Sequence, residues 1–476
     1  MAYRNHRKAR GKHRKTSVFQ EASRKLKWSA LTSLSTYMCE FISMLIVAHL
    51  GVMAVASVAA TTIVNFLYGS VDRQGLKAVT AQWVGQSMSE KKANLSPCLA
   101  RVKQEATGNQ SRVLVQYIAD NSLVASLLLG LSLGTMAIAF PQVILELGGA
   151  DSTVVDYGMP YFQIVMGCVV FNSIVNSFTS TLNGLKENKS VTKAAIAMLL
   201  VHLSLALPAV YFFDFGLVGV AWANVIATVV QVVLLVRLFY RKGYEVRFSK
   251  LRFDWRFHKE VIRESWPLIL DKMGFQLCIA LYWRVLQQVH GADVLATQRI
   301  ANQIMLIPLA LFSGLYPVIN AYVASHFGDK MYRTIRSFVS KVLISGTLCC
   351  LAVMVGTCMI GPWLAPLFLN DTSAQKMVET WLLYLMFTHS SNTALQIIIS
   401  SLKGVKANLA ILLVSGIIHL GWGTALLLWG EAVNLVVLSL FQVVATLLKL
   451  CILGWYFFSS RKWVPKTSPV ISTLSK

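Results

Sequence analysis

The sequence predicts an all-α polytopic membrane protein of 12 transmembrane helices, arranged as two parallel-repeat six-helix bundles around a central cleft. Three observations carry that expectation. Of the 476 residues, 55% are hydrophobic and only 14% charged, the apolar excess of a chain that lives in lipid. Twelve apolar runs are long enough to cross a bilayer, which takes about 20 helical residues. One short pattern, L-x-G-[LV]-K-x-N, occurs twice, as Leu182-Asn183-Gly184-Leu185-Lys186-Glu187-Asn188 and as Leu402-Lys403-Gly404-Val405-Lys406-Ala407-Asn408. Such an echo marks an internal duplication, and each copy reads as a tight turn between spans, with a glycine for the bend and lysines that stay out of lipid.

Taken in order, residues 1–27 form a basic tail with Arg7-Lys8-Ala9-Arg10 and His13-Arg14-Lys15 and no apolar period. It is expected to be disordered, cytoplasmic and in contact with anionic lipid. The first run, about 28–49, exceeds a signal-peptide core and shows no cleavage site after it, so it is read as a retained span. Runs at 53–84, 113–140, 157–182, 190–212 and 216–240 complete an N-terminal six-helix bundle over 28–240. A basic, weakly amphipathic linker covers 241–264. A C-terminal six-helix bundle over 265–458 holds runs at 265–289, 293–325, 338–361, 379–402, 408–429 and 432–458, and a cytoplasmic tail follows over 459–476.

The loops alternate in charge. Lys91, Lys92, Arg101 and Lys103, then Lys186 and Lys189, then Arg241 through Arg263, then Lys330, Arg333 and Arg336 fall in every second connection. The others carry Asp151, Asp156, Asp214, Asp293, Asp371 and Glu431, with Lys376 their one basic residue. The positive-inside rule then puts both termini in the cytoplasm, in a plasma or inner membrane. Because each half has an even number of spans, the halves share one orientation.

This distribution also narrows the function. The net charge of +23 lies between apolar runs, which argues against nucleic acid as a partner. The eight cysteines include one adjacent pair, Cys349-Cys350, with no metal-ligand spacing, so neither a disulfide framework nor a zinc site is expected. No Walker motif, HExxH or nucleophile elbow is present, so the chain is not expected to be an enzyme or to hold a cofactor. Any energy source would be an H⁺ or Na⁺ gradient, and a monomer is expected.

Polar residues inside the spans are the candidate site. Glu40 is the carboxylate near the middle of the first span, with Tyr37 one turn earlier on the same face. An acid there must be paired, protonated or facing water, so Glu40 is the first candidate for ion coupling. Asp271 in the seventh span and His202 in the fifth are further candidates. Aligning the halves on their turns sets Asn172 opposite Asn392 and Asn176 opposite Gln396. Each pair is spaced i, i+4, which puts both amides on one helix face, about 18 Å from the turn and so near the midplane. With Tyr37 these four are the expected substrate-binding residues. Asp72-Arg73 and Asp271-Lys272 lie nearer the helix ends, where long side chains reach the surface. Arg284 and Arg299 lie a few turns from the other end. Pro308, Gly314 and Pro317 in the eighth span match Gly69 and Gly75 in the second as candidate bending points.

Several of these segments resemble one family. Gly51-Val52-x-Ala54-Val55-Ala56 with Gly75, Ala81-Gln82 and Gly85, the loop Leu147 to Asp151, the turn Leu182 to Asn188, and Phe215 to Ala223 are similar to the multidrug and toxic compound extrusion (MATE) exporters. The likeness runs over about residues 27–460. It implies two bundles that rock about a cleft and exchange amphipathic organic cations for H⁺ or Na⁺. It also exposes departures. Ser43 stands where many members have Asp, with Glu40 one turn away. Phe275 stands where bacterial members often have Glu, with Asp271 one turn away. Thr393 replaces a frequent Asp, and His202 a common Asn.

Three readings follow. The first is an antiporter of amphipathic organic cations. The second is a flippase or exporter of a lipid-linked anionic precursor, with Arg73, Arg284 and Arg299 meeting phosphate. The third is a non-transporting membrane scaffold organised through the basic tail.

Overall fold

The computed structural model describes residues 18–51, 53–54, 57–58, 61, 69–88, 95–106, 108–147, 152–246, 253–290, 292–367, 372–430, 432 and 434–459. Residues 1–17 of the basic tail, most of the C-terminal tail and the outer-loop residues 148–151 and 368–371 lie outside them, as do the side chains of Arg73, Asp293 and Arg299.

Every regular element among the described residues is helical. Nine segments there are long and apolar enough to cross a membrane. The other three spans are instructive. The second is described from a π-helical segment, Gly69–Leu76, into the helix Lys77–Ser87. The seventh, Trp255–His290, carries Asp271 and Lys272, and the tenth, Thr372–Gly404, carries a run of hydroxyl, amide and imidazole side chains. With these three the chain has the expected 12 spans.

The first helix, Val18–His49, starts earlier than the sequence suggests. Residues 18–27 include Gln20, Glu21, Ala22, Arg24, Lys25 and Leu26, strong helix formers that let the span continue beyond lipid. The linker also differs from a plain connection. Trp255–His290 is one helix, so its first turns belong to the linker and the rest to the seventh span. Phe257 and Val261 on those turns are buried among Trp83, Leu99, Leu114 and Ile118 of the N-terminal half. Asp254 precedes the helix and accepts from the Tyr117 hydroxyl at 2.7 Å, Arg101 Nη2 at 3.1 Å and the Arg256 N–H at 2.9 Å. Burial raises its carboxyl pKa, but these donors outweigh burial and hold it below the ordinary carboxylate range. Burial pushes His258 below the ordinary imidazole value despite the opposing pull of Asp254.

The apolar cores keep to their own halves. Two clusters fill the C-terminal bundle, around Ile319, Val339 and Ile397 and around Tyr282, Ile304 and Leu382. Four fill the N-terminal one, and the linker residues Val246, Phe257 and Val261 are the incomers. The seam between the halves is different in kind, being made by backbone approach at small residues. A Cβ on Gly314, where the eighth span breaks between Ala292–Ser313 and Leu315–Gly328, would collide with the Ser29 carbonyl oxygen of the first span. One on Gly85 would lie 3.1 Å from the Ala321 oxygen. Asn320 Nδ2 donates to the Ala78 oxygen at 3.3 Å.

Both copies of the repeated turn fold alike. Glu187 N–H donates to Leu182 O and Ala407 N–H to Leu402 O, each at 2.9 Å, and Lys186 and Lys406 N–H donate to Asn183 O and Lys403 O. These are paired six-to-one and five-to-two caps, which require a left-handed residue between them. That residue is the lysine in both copies, with φ 63° at Lys186 and at Lys406. The sequence expectation put the bend at the glycine, and the structure corrects it. Gly184 and Gly404 are right-handed helical, and they are glycine for lack of room: a Cβ would lie 2.6 Å from Val84 Cβ and 2.7 Å from Val323 Cγ1.

Candidate functional site

Where the halves face each other they enclose a cavity of about 650 Å³. The N-terminal half contributes Ser33, Tyr37, Lys77, Ala78, Ala81, Ser180 and Asn183. The larger share comes from the seventh, eighth, tenth and twelfth spans. Polar groups there include Asn302, Asn320, His389, Asn392, Gln396 and Gln442, and the aromatic walls are Phe275, Trp283 and Tyr316. A side pocket of about 90 Å³ continues from Asn392 and Gln396 toward His419, Trp422 and Lys449.

The polar residues sit where they do because the seventh and tenth spans are continuous helices. Asp271, Lys272 and Phe275 share one side of the seventh, and Asn392, Gln396, Ser400 and Lys403 follow i, i+4, i+8 and i+11 along the tenth. Gln396 Nε2 donates to Asn392 Oδ1 at 3.4 Å. The charge of the lining is unequal. Lys77, Lys272 and Lys403 face one carboxylate, Asp271. Asp271 accepts from Lys449 Nζ of the twelfth span at 2.6 Å, with both side chains largely buried. Lys272 lies over the Phe275 ring, 5.0 Å from its centroid, rather than against a carboxylate among the described residues. Lysines therefore outnumber carboxylates in the lining, beside aromatic faces.

Of the residues expected to bind substrate, Tyr37, Asn392 and Gln396 line this cavity, as does Asp271. The others are placed elsewhere. Asn176 is buried and bridges two charges, donating to Asp72 Oδ2 at 2.6 Å and accepting from Lys77 Nζ at 3.2 Å. Asn172 reaches back to Cys168 Sγ at 3.9 Å. The sequence places both at the cleft, and the N-terminal half instead uses them internally: Asp72, buried in the π-helical segment, needs a donor. His202 is 1% exposed, with Nε2 2.7 Å from Ser43 Oγ, while Ser43 donates to the Cys39 carbonyl. That geometry ties the fifth span to the first and keeps the imidazole out of the cavity. Glu40 is exposed and is not among the lining residues. Arg284, expected at an anion, is exposed and also lies outside the lining.

Lys77 and Lys449 had no part in the sequence expectation. Lys449 had a signal, because it is the one charged residue in the span Leu435–Phe458 and a buried ammonium needs a counter-charge. Lys77 had none, since nothing in its neighbourhood told a cavity lysine from one reaching for the surface.

The comparisons with known proteins agree with this fold. A family model described as MatE matches residues 95–207 and 267–423, one stretch in each half. A probable multidrug resistance protein of Bacillus subtilis (strain 168), YoeA, is 22% identical over 214 residues, which are 42% of this chain and 45% of that protein. The match thus spans less than half of the relative. The crystal structure of a MATE protein in the straight conformation superposes with a TM-score of 0.78 at 14% identity, covering 94% of this chain and 97% of the other. A MOP superfamily transporter from Pyrococcus furiosus Vc1 (DSM3638), described by the reverse polarity of its binding pocket, superposes with a TM-score of 0.79 at 16% identity, covering 97% of each chain. At such identities the superpositions speak for the fold alone, and it is the family match in both halves that places the sequence: the chain belongs to the MatE family and is a multi-pass membrane protein.

Proposed function

We propose that this transporter carries an amphipathic molecule bearing a carboxylate or phosphate across the membrane by alternating access, with both termini in the cytoplasm. One observation carries the reading: lysines outnumber carboxylates in the cavity lining, where Lys272 lies over Phe275 and the carboxylate Asp271 is already held by Lys449. A cation entering it would meet like charge in a medium of low dielectric, where two charges repel far more than in water. An anion would take Lys272 as its partner and lay its apolar part against Phe275, Trp283 and Tyr316. The volume suits a small ligand or the head of a larger one. Of the two cargo readings left by the sequence, this charge favours the anionic one over the organic cation. Reverse polarity is also the feature by which the Pyrococcus furiosus transporter is described. Coupling to H⁺ or Na⁺ would act through Asp271, the carboxylate in the cavity, rather than through Glu40 or His202.

The test is transport in proteoliposomes with carboxyfluorescein and ethidium as anionic and cationic probes, under imposed H⁺ or Na⁺ gradients. Carboxyfluorescein should move and ethidium should not. Lys272→Gln should weaken the apparent affinity for the anion about tenfold, the worth of one charge-assisted hydrogen bond, and Glu40→Gln should leave transport within about twofold. Ethidium movement lost in Glu40→Gln would overturn the anionic reading in favour of cation antiport.

A further inference from the structure

Resting on the alternating-access reading, we infer that the two copies of the repeated turn are a latch that closes the cytoplasmic end of the cleft. Each copy reaches across the seam to an aromatic ring at the matching place in the opposite half. Lys186, from the N-terminal copy, lies over Tyr322 of the eighth span, 4.1 Å from the ring centroid. Lys406, from the C-terminal copy, lies over Trp83 of the second span at 5.8 Å. The rings correspond: Trp83 stands two residues before Gly85 and Tyr322 two before Ala324, and a Cβ on Gly85 would touch Ala324 Cβ at 3.5 Å. Both rings are buried, at 0% and 1% exposure.

The second arm is reinforced by Glu264 on the seventh helix. Its Oε1 accepts from Lys406 Nζ at 3.1 Å and its Oε2 from Trp83 Nε1 at 2.7 Å, while its carbonyl accepts from Asn408 Nδ2 at 2.7 Å. One carboxylate thus joins the turn to the other half's ring.

Three features make this a latch rather than passive packing. Its contacts are polar and partly open, with Lys406 and Glu264 each 20% exposed, so they can exchange for water when the halves part. The apolar clusters that hold each bundle come mainly from their own half, with Phe257, Val261 and Ala78 as the exceptions, so most of that packing survives such a parting. Both lysines also adopt a left-handed backbone that Gly or Asn would adopt more easily, a local strain that the paired arrangement explains, because it aims the side chain over the seam. The glycine of each copy presses its turn onto its own half, against Val84 in one and Val323 in the other, so the lysines move with their bundles.

The experiment is a distance measurement between spin labels at Met88→Cys and Met331→Cys, both exposed and each just past the latch in its half, after replacing the exposed Cys349 and Cys451 by Ser. The reconstituted wild type should show mainly a short-distance population. Lys186→Gln with Lys406→Gln should raise the long-distance fraction at least fivefold, and Lys406→Arg should keep it within twofold. Glu264→Gln, which preserves size and hydrogen bonding, is the second variant and should raise it at least twofold. An unchanged distribution in the double variant or, should that variant not fold, in Glu264→Gln would overturn the latch. Transport by the labelled wild type is read alongside. No movement of any probe while the distances respond would sink the transport reading and leave the latch standing, whereas transport with unresponsive distances would sink the latch alone.

Discussion

Asn176 and Gln396 occupy the same place in the two halves, four residues after an asparagine on the helix that leads to the repeated turn, yet they do different work. Asn176 is buried between Asp72 and Lys77 and is used up in holding the N-terminal half together. Gln396 hydrogen-bonds to Asn392 and faces the cavity. Duplication supplied one frame, and a single buried carboxylate in one copy then drew its amide inward. The cavity consequently belongs mostly to the C-terminal half, with the N-terminal half contributing Tyr37, Lys77 and a strip of small residues. What the halves still share is the turn, where the seam requires the same part twice.

That division can be broken or sharpened by substitution. The largest effect is expected at the buried pair of the C-terminal half. Asp271→Asn leaves Lys449 without its carboxylate and should cost about 3 kcal/mol, at the low end for such pairs because Asp271 borders the open cavity. The double variant Asp271→Asn with Lys449→Met should recover most of the lost thermal stability. No recovery would mean that the carboxylate serves the site rather than the pair.

A smaller and symmetrical effect is expected at the turns. Gly184→Ala and Gly404→Ala both drive a methyl into a valine at under 3 Å and should each cost about 1–3 kcal/mol, read as equal drops in the unfolding midpoint in detergent. Gly416→Ala, mid-helix with open space around it, should not lower the midpoint and should raise it slightly. Unequal drops at the two turns would end the claim that the repeat is structurally equivalent.

The smallest effect is a pH dependence on the N-terminal side, where the linker docks. His258 has its pKa lowered in the folded protein, so the unfolded chain binds the extra proton as pH falls through the ordinary value, about 6.5. Stability from this group is full above that value and declines below it toward the folded pKa. His258→Gln should reduce the slope of thermal stability against pH between pH 7 and 5. An unchanged slope would place the proton-sensitive group elsewhere.

The sequence by itself determined the class of molecule, the number and order of its spans, the parallel duplication and the expected orientation. Each of these rests on free energies that add along the chain: apolar transfer over some 20 residues, and charge on one side of a membrane. It also singled out Tyr37, Asp271, Asn392 and Gln396, because a polar residue in a span is costly wherever it points. Tertiary structure alone decided which of those residues meet the cleft. Hydropathy is the same for a helix rotated by half a turn, so it could not tell that Asn172 and Asn176 turn inward, that His202 binds Ser43, or that Glu40 stands apart from the cavity. The Asp271–Lys449 pair and the reach of Lys186 and Lys406 across the seam join residues far apart in the chain. Such contacts depend on distances of a few ångströms that only the packing of the two bundles sets.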